Sequence, residues 1–506
     1  MIRAVFALAA SFLATPAAAS SGGAGPEPPT YPATRTESLV EVIFGEQVAD
    51  PYRWLENDPR SDPAVARWVA QQNAATQDFV RQLPQREWFA NRITDLMDFE
   101  RFGLPRKAGE SYFFTRNSGL LNQPQLYVQR GLDGERRLLL DPNAWSADGT
   151  AALAAWEPSP DGSLLAYSVQ ENGSDWRTIR VIDVASGRQL GEEIRWAKFT
   201  TIAWVGREGF LYSRFPEPAP GQDFRAVNYN QAVWFHRIGS TQAEDRLVFA
   251  SPEHPERSHS ARTTHDGRWA VITTALGMED RHEIHLLDLS RRGSERWRPR
   301  QLVSGFANNW QLVEALSGQV LFITDDGAPR QRILAAELDR KKPRWREVVA
   351  ETDQQISGAS IVGQRLVVEY VRDAVTTAMV FDAVGQPVGR IALGALGAAG
   401  GFRGNPADPE TFYSFTSFNR PASVYRLDLA SGESNIFAAP ELTFDPDRYE
   451  IEQRFYSSRD GTRVPIFIVR SKALAQSGKP APTLLYGYGG FDISLTPGFS
   501  AARMAW

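Results

Sequence analysis

The chemistry open to this 506-residue chain is bounded by six histidines and by a tyrosine–glycine cluster near its C-terminal end. The histidines are His236, His254, His259, His265, His282 and His285, and none follows position 285. Amide hydrolysis by a serine needs an imidazole base and an orienting carboxylate. One well-known setting for that serine is a sharp strand-to-helix turn, Gly-x-Ser-x-Gly, and the sequence contains no such pattern. His282 and His285 do not suit a metal pair, because positions i and i+3 of a strand point to opposite faces. No Gly-Lys-Ser/Thr follows Gly487, Gly489 and Gly490, so a phosphate loop is excluded. The Asp-Gly pairs lack the ligand spacing of a calcium loop and read as turns. With no cysteine, disulfides, thiolate nucleophiles and thiolate metal sites are also excluded. No cofactor and no metal is therefore expected. What remains is Leu485-Tyr486-Gly487-Tyr488-Gly489-Gly490-Phe491, where Tyr488 carries a phenol donor and Phe491 a flat apolar ring. On residue types alone, Tyr488 reads first as a packed strand-end aromatic, and Phe491 reads equally well as ordinary core packing.

The elements that must position such residues fall into distinct stretches. Arg3, the apolar run Ala4 to Ala14 and Ala17-Ala18-Ala19 form a secretory signal pattern over 1–19, cut before Ser20. The run is too short to span a bilayer, which takes ~20 residues, and no later segment is apolar enough to do so. A net charge of −5 without a basic face excludes a nucleic-acid partner. Export without cysteine fits a periplasmic or secreted protein. Ser20 to Pro32 reads as a flexible leader. Asp62 to Arg81 reads as an amphipathic helix, with Asp62 as N-cap, Pro63 at the first helical position, and Trp68, Val69 and Phe79 on its apolar stripe. A second helix is expected over Glu87 to Met97, burying Trp88, Ile93 and Leu96.

Beyond Phe99 helical spacing gives way to short β-rich runs punctuated by Gly, Asp and Pro. Asp161-Gly162 precedes Leu164-Leu165-Ala166-Tyr167, and Asp266-Gly267 precedes Trp269 to Thr273. Strands exit at Asp141, His236, Glu337, Asp382 and Asp428, and also at Asp183 and Asp288. These exits stand 42 to 53 residues apart, which is the period of a four-stranded propeller blade. Seven exits predict seven blades. Past Phe444, Glu452 to Tyr456 and Val464 to Val469 read as a hairpin turning at Asp460-Gly461. Thr483 to Tyr486 reads as a short buried strand running into the tyrosine–glycine cluster.

That cluster resembles the prolyl oligopeptidase family of serine peptidases. So do Phe455-Tyr456-Ser457-Ser458-Arg459-Asp460-Gly461-Thr462 with Val464-Pro465-Ile466-Phe467-Ile468-Val469 after it, and Asp50-Pro51-Tyr52-Arg53-Trp54-Leu55-Glu56 near the front. Asn117-Ser118-Gly119-Leu120, Gly173-Ser174-Asp175-Trp176 and Thr416-Ser417-Phe418 also match, so the similarity runs from about Tyr31 to Trp506. The resemblance implies a mainly β chain: a seven-bladed β-propeller over 99–438, N-terminal helices within 20–98, and the opening strands of an incomplete α/β-hydrolase domain over 439–506. It implies hydrolysis of short proline-containing oligopeptides after proline, with the propeller acting as a size filter. Tyr488 then aligns with an oxyanion-hole donor and Phe491 with an aromatic of the proline pocket. The catalytic serine, aspartate and histidine would lie beyond Trp506, so the expectation is a monomeric, C-terminally truncated chain inactive as a peptidase. A non-catalytic propeller that binds peptides or protein partners is the competing reading.

Overall fold

A computed structural model describes residues 29–223, 226–277, 279–291, 293, 297–338, 343–394, 396–490 and 493–506. The signal pattern over 1–19 and Phe491 both lie outside the described residues. The chain divides into two compact units, one up to Asn91 and one over Arg92–Trp506.

In the first unit, strands Val40–Ile43 and Glu46–Ala49 pair through a turn at Phe44 and Gly45. Both turn residues have positive φ (52° and 88°), which matches the twist of a two-residue hairpin. The turn Arg53–Glu56 buries Trp54, whose indole N–H donates to the Arg35 carbonyl at 2.9 Å. The helix Pro63–Arg81 starts where the sequence places it, with the Asp62 carboxylate accepting from the Ala64 N–H at 2.8 Å. Its stripe is shallower than expected: Val65 is buried, Trp68 is half-buried and donates to Thr34 Oγ1, and Val69 is exposed. The second helix, Arg86–Met97, buries Leu96 but leaves Trp88 56% exposed, contrary to the expected stripe. Trp88 makes an edge contact with its chain neighbour Phe89, at 5.0 Å, in place of a core.

The larger unit is built of antiparallel sheets in which consecutive strands pair. Four sheets have four strands: Arg257–Val303, Trp310–Val349, Gln355–Ile391 and Ala398–Ala438. A fifth, over Arg101–Leu140, has five. The strands from Ala152 to Phe249 form one continuous eight-stranded sheet. A propeller is thus present, but it has five separate blades rather than the expected seven. The reason is local. The strand Ile194–Ala197, an outer strand by sequence count, crosses to the strand Gly209–Arg214 through the single pair Ala197↔Arg214, fusing two runs of four. The exits Asp183, Asp288, Glu337 and Asp428 do end the third strands of their sheets, and Asp382 follows one. Asp141 instead follows the last strand of its sheet, where its carboxylate caps the turn Pro142–Ala144.

Neighbouring sheets touch mainly through their first strands, which therefore line the propeller axis. The cores lie between sheets. Phe113, Leu126 and Val128 of one meet Leu165, Tyr167 and Ile182 of the next. Trp269, Val271 and Ile284 likewise meet Trp310, Phe322 and Leu334. A sheet of four strands has two faces to cover, so each needs both neighbours, and every such Leu, Ile or Phe contributes about 1.5–3 kcal/mol. The ring closes without a shared strand. Tyr112 of the first sheet packs with Phe412, Val424 and Ala438 of the last, and Lys107 bonds Asp408 at 2.6 Å.

Past the propeller, Tyr449–Ser457 and Arg463–Ser471 pair over nine positions, and Gly461 turns them at φ 83° as the Asp-Gly signal predicts. Thr483 to Tyr486 is not a strand. It is irregular, and Leu485 is 81% exposed because no neighbouring strand pairs with it among the described residues. A five-residue helix, Ala501–Ala505, capped by Ser500, follows. Just before it Phe499 stacks on Phe444 and meets Phe99 edge-on, both at 5.8 Å.

Candidate functional site

Two places in the larger unit carry groups suited to chemistry. The first is the tyrosine–glycine loop. Tyr488 is 51% exposed, and its hydroxyl has no hydrogen-bond partner among the described residues. Gly489 turns the chain at φ 73°. Beside it Tyr486 lies under the Arg503 guanidinium, 5.1 Å from the ring centroid. An exposed phenol is free to donate to an approaching oxygen. Phe491, the other residue singled out in the sequence, lies outside the described residues.

The loop is not joined to a base. The described histidines sit in the propeller, each with other duties. His236 Nδ1 meets Asp245 Oδ1 at 2.6 Å, while Tyr212 donates to Asp245 Oδ2 at the same distance. His259 Nδ1 lies 3.0 Å from Thr274 Oγ1, and His265 Nδ1 lies 2.6 Å from Glu314 Oε2. His282 Nδ1 accepts from the Trp310 N–H at 3.3 Å. No hydrogen bond among the described residues ties an imidazole to a serine hydroxyl or to Tyr488.

The second place is the propeller axis, which sequence reasoning missed. Glu157, Arg262, Glu314 and Arg403 each stand within two residues of the end of the first strand of their sheet, and Arg106 opens the short second strand Arg106–Ala108 of its own. They therefore share one level of the axis. Arg106 bonds Glu157 and the Trp156 carbonyl of the next sheet. Arg262 donates to the Leu312 carbonyl at 3.0 Å, and His265 clasps Glu314. Burial pushes the Glu157 carboxyl up, against the pull of Arg106, Arg403, Arg262 and His265. Yet the Glu157 side chain is 42% open to solvent. Glu157 is thus crowded by neighbouring sheets yet reached by solvent, and the solvent exposure limits how far burial acts on it. Glu369, from a second strand, reaches between Gly358 and Gly400. A Cβ on either glycine would stand 3.3 or 3.2 Å from a Glu369 oxygen. Burial pushes this carboxyl up to about 7, with the Gly401 backbone and Arg403 opposing. A charge near the end of a first strand recurs in four of the sheets, a partial signal that does not by itself mark the axis.

Residues 31–440 match the family described as prolyl oligopeptidase, N-terminal beta-propeller domain. The chain belongs to the prolyl oligopeptidase family. It is 36% identical over 478 residues to a prolyl endopeptidase of Elizabethkingia miricola and 34% identical over 477 to one of Elizabethkingia meningoseptica. Each match covers 94% of this chain and 66% of the relative. The chain thus spans about two thirds of the length of these curated relatives. Among solved structures, one from a study of two prolyl endopeptidases is 44% identical, with a TM-score of 0.72 over 95% of this chain and 68% of that one. Prolyl oligopeptidase B of Galerina marginata, bound to a 35mer hydrolysis and macrocyclization substrate, aligns at 27% identity with a TM-score of 0.84, covering 94% of this chain and 69% of that one.

Within the prolyl oligopeptidase family match, the charged axis lies wholly inside residues 31–440 and the tyrosine–glycine loop lies outside them. The two places thus belong to different parts of the chain's likeness to its relatives.

Proposed function

We propose that this chain is the propeller-bearing part of a secreted or periplasmic, monomeric serine endopeptidase of the prolyl oligopeptidase type, which cleaves short peptides after proline, and that the 506 residues alone do not cleave. The observation that carries the reading is the match over residues 31–440, taken with a sequence that lacks Gly-x-Ser-x-Gly and has no histidine after His285. A propeller supplies no nucleophile, so the triad must come from elsewhere. The opening of an α/β-hydrolase domain is assigned to 439–506, on the hairpin Tyr449–Ser471 and the loop after it.

In this reading Tyr488 supplies an oxyanion-hole hydroxyl. A phenol O–H aimed at the developing alkoxide stabilises it more than it stabilises the ground-state carbonyl, and one such donor is typically worth ~3 kcal/mol. Phe491 forms part of a flat apolar wall for the pyrrolidine ring, which has no donor to satisfy.

The test is direct. Pure 506-residue protein is incubated with a proline-containing chromogenic peptide. The expected result is release no faster than the blank. Turnover that persists through repurification would overturn the inactive reading. The same chain extended through its own reading frame to a Gly-x-Ser-x-Gly serine is expected to cleave after proline, and cleavage after basic residues instead would overturn the substrate assignment.

A further inference from the structure

The charges along the axis are not evenly paired. Arg106 is bonded to Glu157 across one sheet boundary, and Arg262 donates to the Leu312 carbonyl across another, within reach of the Glu314 charge. Arg403, at the same level on the last sheet, is different. Its guanidinium has no hydrogen bond or ion pair among the described residues, and it is exposed. It still lies close enough to Arg106, Arg262, Glu157 and Glu369 to bear on the charge state of each. Those four come from four different sheets, so Arg403 faces the space they enclose rather than the outer surface.

The local sequence aims it there. Arg403 sits in Ala-Ala-Gly-Gly-Phe-Arg-Gly-Asn, the first strand of its sheet. Gly404 and Gly401 let this strand approach its neighbours: a Cβ on Gly404 would run into Val362, and one on Gly401 into Leu104. Phe402 is fully buried, and its carbonyl accepts from Ser360 Oγ of the adjoining sheet. The backbone around Arg403 is therefore clamped on both sides while its side chain is left without a partner. A guanidinium held in this way, open to solvent and unpartnered, presents a two-pronged donor to a planar oxyanion.

We propose that Arg403 is the open arm of a carboxylate-binding subsite at the first-strand end of the propeller axis, holding a peptide by a free carboxylate as it enters. Arg106, bonded to Glu157, and Arg262, bonded to the Leu312 carbonyl, set the positive rim with donors already engaged. The subsite favours peptides whose carboxylate leads, and it disfavours those whose carboxylate is capped.

The inference goes beyond the proposed function in placing a peptide at the axis, and its test measures binding and not cleavage, so the two fail separately. Titration calorimetry on the 506-residue chain would compare one acetylated, proline-containing hexapeptide as free acid and as C-terminal amide. A third arm, the amide with an internal glutamate, distinguishes a chain terminus from an acidic side chain. The expected result is about tenfold tighter binding of the acid than the amide, the scale of one charge-assisted hydrogen-bonded pair. That preference is lost in Arg403→Gln, reduced but not abolished in Arg403→Lys, which keeps the charge and loses the fork, and kept in the outer-surface control Arg130→Gln. Recovery by the glutamate-bearing amide assigns the subsite to any carboxylate, and no recovery assigns it to the terminus. Equal binding of acid and amide, no binding of either, or a preference that survives Arg403→Gln would overturn the proposal. Should Arg403→Gln fail to fold, salt takes its place: the preference must shrink between 50 and 500 mM salt, as roughly expected for an ion pair in solvent contact, and constancy would overturn it.

Discussion

Tyr112 and Glu410, 298 residues apart, meet through a 2.6 Å hydrogen bond from the phenol to a carboxylate oxygen. The bond joins the first propeller sheet to the last. Glu410 is 5% exposed at its side chain and also receives Arg426 and Lys107. Burial first, then Glu410, pushes the Tyr112 hydroxyl up to about 12, so it remains a donor throughout the neutral range. No strand crosses this boundary, so the seam depends on these side chains and on Tyr112 against Phe412 at 5.8 Å. Tyr112→Phe removes the donor and leaves the ring. We expect a loss of about 1–2 kcal/mol in equilibrium urea unfolding, together with faster amide exchange in Ser111–Asn117 and Asp408–Ser417. Unchanged exchange in those two strands would show that the seam does not depend on the bond.

Acid sensitivity should trace to His259. The ring is 2% exposed, lies 5.0 Å edge-on from Phe249, and is held down to about 4 by burial first and by the neighbouring His285 second. An unfolded imidazole titrates near ~6.5, so on acidification the unfolded chain takes up its proton first. The stability linked to this residue is intact above about 6.5, falls between about 6.5 and 4, and is flat below; the span corresponds to about 3 kcal/mol. His285 is lowered by the same burial and adds in the same direction. His259→Gln should flatten the dependence of unfolding free energy on pH in that window. An identical slope in the variant would refute the assignment.

Much of the architecture was written in local signals, and what was not follows from geometry rather than composition. Asp62-Pro63 and Asp460-Gly461 are backbone instructions, and the helix and hairpin they start are where the sequence puts them. The fusion of eight strands turns on one residue pair, Ala197↔Arg214, which carries no signal of its own. Asp141 resembles the other strand exits, but an Asp before Pro caps a turn as readily as it ends a third strand. The axial charges are hidden for a different reason. Arg262 lies in Arg-Ser-His-Ser-Ala-Arg-Thr, which has the alternation of any half-exposed strand. Sequence does not tell the edge at the axis from the edge at the rim. Only closure of the ring, made by residues such as Tyr112 and Glu410, gives the two edges different surroundings.

The packing between sheets makes a sharper contrast within one chemistry. Phe322 is fully buried and meets Trp310 at 6.1 Å and Trp345 at 6.0 Å, edge-on to both. Its neighbours come from two sheets, so they cannot collapse into the space without moving a blade. Phe322→Ala should cost about 3–5 kcal/mol. Leu247, 49% exposed on a fourth strand, should cost no more than about 0.5 kcal/mol as Leu247→Ala. Denaturant midpoints at equal slope measure both. A similar cost for the two would mean that the inter-sheet clusters are not what holds the blades together.

Tyr488 gives the reverse of Tyr112, and the comparison separates function from fold. Both are tyrosines with a hydroxyl to lose. Tyr112 is 4% exposed and bonded; Tyr488 is 51% exposed and bonded to nothing described. Tyr488→Phe should therefore change the stability of this chain by less than about 0.5 kcal/mol. In a chain extended to include the catalytic serine, the same substitution should lower kcat about 100-fold or more with little change in KM, because an oxyanion donor acts on the transition state and not on the bound substrate. A rise in KM at constant kcat would place the hydroxyl in substrate binding instead. A large loss of stability would make Tyr488 a packing residue whose partner belongs to the extended chain.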